Sequence, residues 1–144
     1  MTRTRWIFVL VGAGVVLAIL IGVLGTRNEP SKAEATTSLC SSLSSLGSSV
    51  ESLTSLDPST ASKSDYQSDV SAIESDWDQV KSDAQAVQNA PTGDLDSAWD
   101  SFESAVKDVP DDASVSDALN DVSQSAEQFA STAQTTASSV NCSS

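Results

Sequence analysis

The chain has 144 residues, a formal net charge of −13, no histidine and only 7 Lys plus Arg. The charge argues against a nucleic-acid partner, because such binding rests on Lys and Arg neutralising phosphates. The missing histidine removes His-centred triads and His-ligated zinc sites, and the length fits one domain with extensions.

Residues 1–5 contain Arg3 and Arg5 and read as a short cytoplasmic tail. Trp6 to Gly25 is an uncharged run of 20 residues, WIFVLVGAGVVLAILIGVLG. A helix of that length rises about 30 Å, the thickness of a bilayer core, so residues 6–25 are expected to form a transmembrane helix, a signal anchor. The positive-inside rule then keeps the N-terminus in the cytoplasm and residues 26–144 outside. Gly14, Ala18 and Gly22 fall four residues apart on one face of this helix and form a candidate transmembrane packing stripe. The competing reading is a cleaved signal peptide with Ala33-Glu34-Ala35 as its A-x-A-like site, which would make the protein a secreted factor. The apolar run is longer than usual for a signal, and the site lies ten residues beyond it, so the anchor is preferred.

Residues 26–37, TRNEPSKAEATT, read as a polar tether. Residues 38–142 then carry four groups of apolar residues spaced by threes and fours. The first is Leu39, Leu43, Leu46, Val50, Leu53 and Leu56, and the second Tyr66, Val70, Ile73, Trp77, Val80, Ala84 and Val87. The third is Leu95, Trp99, Phe102 and Val106; the fourth runs Val115, Leu119, Val122, Ala126, Phe129, Ala133, Ala137, Val140. This is a narrow seam of coiled-coil or bundle type, and no stretch has strand periodicity. Breaks fall at Asp57-Pro58, Asn89-Ala90-Pro91 and Val109-Pro110, because proline does not continue a helix interior. Ser62-x-x-Asp65 and Ser114-x-x-Asp117 have the spacing of capping boxes. The expected fold is all-α, an N-terminal transmembrane helix followed by an extracytoplasmic antiparallel four-helix bundle.

Serine supplies 29 of the residues and is a mediocre helix former, and alanine thins the fourth seam. A bundle so poor in large apolar side chains needs help, and Cys40 and Cys142, near its two ends, are expected to form a disulfide. One geometric check resists this. Straight antiparallel helices of about 18, 29, 16 and 29 residues would carry Cys142 about 30 Å or more past Cys40. The 107–114 connection must climb, the last helix must fold back, or the helices must bend.

From Thr36 onward 18 acidic residues face only Lys63, Lys81 and Lys107. Pairs such as Asp65/Asp69, Asp96/Asp100 and Asp117/Asp121 share helix faces and could hold Ca²⁺ loosely, but no calcium-loop pattern accompanies them. They read as a solvated acidic face. Carboxylates off the seam stay ionised, and lysines among carboxylates are poor bases, so no catalytic, metal or cofactor site is expected and the protein is read as no enzyme. Trp77 and Trp99 occupy a faint repeat, SDWDQVKSDA beside SAWDSFESAV, and both are expected in the core near Phe102.

The LCSSLSSL start, the DWDQVKSDA and DSAWDSF stretches and the terminal VNC together resemble small envelope proteins of actinobacteria. That resemblance implies an N-terminal anchor or signal before an Ala/Ser/Asp-rich helical domain with one cysteine near each end, and it brings no functional residue. The leading expectation is a non-enzymatic structural or protein-interaction module at the outer face of the membrane. Its partners would be the membrane and an envelope protein. The alternative is an extracytoplasmic bundle that binds a small molecule or cation between helices.

Overall fold

The computed structural model describes residues 31–142. Residues 6–25, expected to form a transmembrane helix with Gly14, Ala18 and Gly22 as its packing stripe, and residues 26–30 of the expected tether lie outside the described residues. Among the described residues there are four helices and no strand: α1 (Lys32–Thr54), α2 (Lys63–Ala86), α3 (Gly93–Asp108) and α4 (Val115–Ser139). None of them is long and apolar enough to cross a membrane.

α1 starts at Lys32, inside the stretch read as tether, because Ser31 and Glu34 build a capping box that the sequence reading missed. Glu34 accepts the Ser31 N–H at 2.9 Å, and Ser31 Oγ accepts the Glu34 N–H at 3.3 Å. The expected box at Ser62 and Asp65 forms in the same way, with bonds of 2.8 and 3.2 Å. At α4, Ser114 Oγ accepts the Asp117 N–H at 3.1 Å, while its hydroxyl donates to the Asp117 carboxylate at 2.7 Å. Each bond from a backbone N–H satisfies a donor that the start of the helix leaves without an intrahelical partner.

The helices run alternately up and down. Ser42 and Ser49 of α1 meet Asp83 and Asp76 of α2, so this pair is antiparallel. α1 also packs against α4, and α3 against α4. α2 and α3 meet mainly through side chains, above all the stacked indoles of Trp77 and Trp99. Leu39, Leu43, Leu46, Val50 and Leu53 of α1 and Tyr66, Val70, Ile73, Trp77 and Val80 of α2 are buried, as their spacing predicts.

The other two seams differ from expectation. In α3 the buried set is Leu95, Ala98 and Phe102, with Trp99 and Val106 half-buried. In α4 it is Ala118, Val122, Ala126, Phe129, Ala133 and Thr136, while Val115, Leu119, Ala137 and Val140 sit at the margins. Small side chains let the helices approach at these positions, and the bulkier neighbours cover the contact from outside.

Gly47 lies in the interior of α1 with open space where a Cβ would project. Glycine there costs helix stability through the freedom of the unfolded chain. Gly47→Ala should therefore stabilise the domain by about 0.5–1 kcal/mol, read as a rise in the urea midpoint at constant slope.

Candidate functional site

Cys40 and Cys142 are joined, with an S–S distance of 2.02 Å and Cα atoms 5.4 Å apart. Two features remove the expected 30 Å mismatch. The register of Ser42 with Asp83 sets the end of α2 beside Leu39 and Cys40, so the 55–62 connection rises past the end of α1 before α2 begins. The 109–114 connection rises in turn, and Lys63 Nζ donates to the Asp111 carbonyl at 3.0 Å, bringing α4 to start level with α2. α2 and α4 have 24 and 25 residues, so they return to the same level.

The last step is a chain reversal. Asn141 takes a left-handed φ of 59°. The Cys142 N–H reaches back to the Ala137 carbonyl at 2.9 Å, and the Asn141 N–H to that of Ser138 at 3.2 Å. This is a Schellman cap, and Asn is among the few residues that adopt its left-handed position at low cost. The reversal points Cys142 back toward α1 rather than onward along the α4 axis.

Two polar grooves flank the core. One, of about 340 Å³, lies between α1 and α2 and is lined by Ser38, Ser41, Ser42, Ser45, Asp76, Gln79 and Asp83. Here the structure corrects the reading of Asp76 and Asp83 as solvated. Both are half-buried, and they accept hydrogen bonds from Ser49 and Ser42 of the neighbouring helix. Gln79 Nε2 donates to Asp83 at 3.1 Å. Ser42/Ser49 and Asp76/Asp83 are each separated by one heptad, so once the register is set both contacts fall along one face of each helix. The second groove, of about 440 Å³, lies between α3 and α4 and presents Ser97, Ser101, Gln128, Ser131, Thr132 and Thr135. Both are open troughs of hydroxyls, amides and carboxylates, the second including Asp94.

Beneath them, Trp77, Trp99, Phe102 and Phe129 form one aromatic cluster. Trp77 stacks on Trp99 at 5.7 Å between ring centroids and meets Phe129 edge-on at 5.7 Å. Trp77 is buried as expected, whereas Trp99 is half-buried and closes the α2–α3 side. Lys81 Nζ lies 5.6 Å from the Trp77 ring centre and pairs with Asp78 at 2.8 Å. Lys107 pairs with Glu103 at 2.8 Å.

Four ionisable groups are displaced from their ordinary values. Hydrogen bonds from the Ser59 side chain and backbone hold Asp57 low. Bonds from the Ser62 backbone and side chain do the same for Asp65. Burial, aided by the nearby Asp121 charge, pushes the Tyr66 hydroxyl up, and that hydroxyl has no hydrogen-bond partner among the described residues. Burial and the charges of Glu103 and Asp78 push Glu74 up, against a weaker opposing pull from Lys107.

Among the described residues, no cluster of three or more acidic or cysteine side chains could hold a metal ion. No protein-family model matches the chain, and no curated protein or solved structure matches it.

Proposed function

We propose that the protein is a non-enzymatic structural or protein-interaction module at the outer face of a membrane, anchored by residues 6–25. The observation that carries this reading is the disulfide between Cys40 and Cys142, which closes the whole bundle. Disulfides persist in oxidising compartments, and this one follows an uncharged run of 20 residues preceded by Arg3 and Arg5. The acidic, hydroxyl-rich surface suits contact with a polar partner such as an accessory subunit's neighbour in the envelope. A bundle that binds a small molecule or cation ranks second, because the grooves are open troughs rather than enclosing cavities.

The secreted alternative draws less support from the fold. Ala33-Glu34-Ala35 lies in the first turn of α1, where Glu34 belongs to the capping box and Ala35 is buried. Cleavage after Ala35 would strip that turn from the domain.

The test is the intact mass, without reduction, of the protein in membrane and culture-medium fractions of the producing cell. The full-length chain, about 2 Da light from one disulfide, is expected in the membrane. A product beginning near Thr36 in the medium would overturn the anchored reading.

A further inference from the structure

The two ends of the bundle differ in charge and in how they are fastened. At one end the disulfide joins α1 to the residue that follows the α4 cap. Neither the 87–92 connection nor residues 132–142 at that end carry a charged side chain. At the far end Asp57, Asp111 and Asp112 lie in the two connections. Asp65, Asp69, Asp117 and Asp121 follow in the first two turns of α2 and α4. Lys63 is the one cation in residues 55–70 and 109–122. Beside them, α1 brings Glu51 and α3 brings Asp108 and Lys107, and Lys107 is engaged by Glu103. The helix N-termini offset the capping residues Asp65 and Asp117, but that effect fades within the first turn and gives little to Asp69 and Asp121.

Few polar contacts hold the far end shut. Among the described residues both ion pairs, Lys81–Asp78 and Lys107–Glu103, stay within one helix. The serine–aspartate bonds between α1 and α2 run from Ser42–Asp83 to Ser49–Asp76. One heptad further along that register stand Leu56 and the half-buried Asp69, and a leucine side chain offers no hydrogen bond. The polar tie left is the exposed bond from Lys63 Nζ to the Asp111 carbonyl, 3.0 Å long. In the core of the same layer Tyr66 is only 9% exposed, and its hydroxyl has no hydrogen-bond partner among the described residues. Closure therefore costs the desolvation of that hydroxyl, which opening returns to water.

We propose that the bundle works as a jaw hinged on Cys40–Cys142: repulsion among the far-end carboxylates opens it, and dissolved cations close it. Screening sets the operating range. The Debye length is about 30 Å at 0.01 M salt, so carboxylates across the whole far end repel one another. It is about 8 Å at 0.15 M, where only near neighbours still do. The disulfide keeps the other end together in both conditions, so the motion is a local opening rather than global unfolding.

Hydrogen exchange of the full chain in non-ionic detergent micelles, resolved by segment, tests this. Lowering salt from about 0.15 M to about 0.01 M should speed exchange of residues 66–70 and 118–122 by about threefold or more. Residues 39–43 and 133–137, beside the disulfide, should hold their rates. Asp69→Asn combined with Asp121→Asn should slow far-end exchange at low salt and flatten its salt response. Lys63→Met should speed far-end exchange at both salt concentrations. Tyr66→Phe, which keeps the ring and removes the unpaired hydroxyl, should slow it by about fivefold or more. Exchange that ignores salt, exchange that rises equally at both ends, or a double asparagine variant with the parent's salt response would overturn the jaw.

Discussion

Reducing the Cys40–Cys142 bond, or replacing either cysteine with serine, should lower the stability of the helical domain by up to about 4.7 kcal/mol. That is the chain-entropy value for a loop of about 100 residues, and the two cysteines are separated by 102. The loss is large because the core it supports is thin. Of the six buried residues of α4, three are alanines and one is Thr136, leaving Val122 and Phe129 as the larger apolar contributions. At roughly 4 °C per kcal/mol, thermal melting followed by circular dichroism should shift down by about 15–20 °C in reducing agent. A melting temperature indifferent to reduction would mean that the bundle stands on packing alone.

The second large effect is expected at Phe129. Its ring lies 5.7 Å from Trp77, 5.6 Å from Trp99 and 6.0 Å from Phe102, centroid to centroid, and it is fully buried. Its ring meets aromatic rings of both α2 and α3. Phe129→Ala removes the partner of all three rings and leaves a cavity that rigid aromatic walls collapse into poorly. The expected cost is about 3–5 kcal/mol in chemical denaturation, with loss of the near-ultraviolet dichroism of the tryptophans. Phe129→Leu, which keeps an apolar side chain in the gap, should retain most of that stability. Equal losses for the two variants would point to a requirement for the aromatic ring itself rather than for filled volume.

The seams of α1 and α2 were legible because their apolar residues are large, and periodicity weights size. From Leu39 to Leu53 and from Tyr66 to Val80 each large apolar residue predicted to be buried is buried. In α3 and α4 the same weighting misled. Ala98, Ala118 and Thr136 take inward positions, while Trp99 and Leu119 cover the contact from its edge. A small side chain inside and a large one beside it are not distinguishable by spacing alone. The disulfide was legible from the positions of the two cysteines, but its geometry was not. That geometry depends on two connections that rise between helices and on the left-handed Asn141, which are properties of tertiary arrangement. The hydroxyl–carboxylate contacts between α1 and α2 were hidden for another reason. Serine and aspartate are ordinary residues of a solvated face, and only the register of the pair sets Ser42 beside Asp83 and Ser49 beside Asp76.

The position of the disulfide also determines how the domain would carry mechanical load. A force applied between the segment before Ser31 and whatever follows Cys142 enters the bundle at Cys40 and leaves through the sulfur bridge. The covalent path holds the two Cα atoms 5.4 Å apart, so α2, α3 and α4 lie off the line of tension. Without the bridge, the 102-residue separation could pay out to about 350 Å when fully extended. With it, only the first turns of α1, from Lys32 to Leu39, can unravel under tension, and the rest of the bundle keeps its shape at any force below that needed to break or reduce the bond.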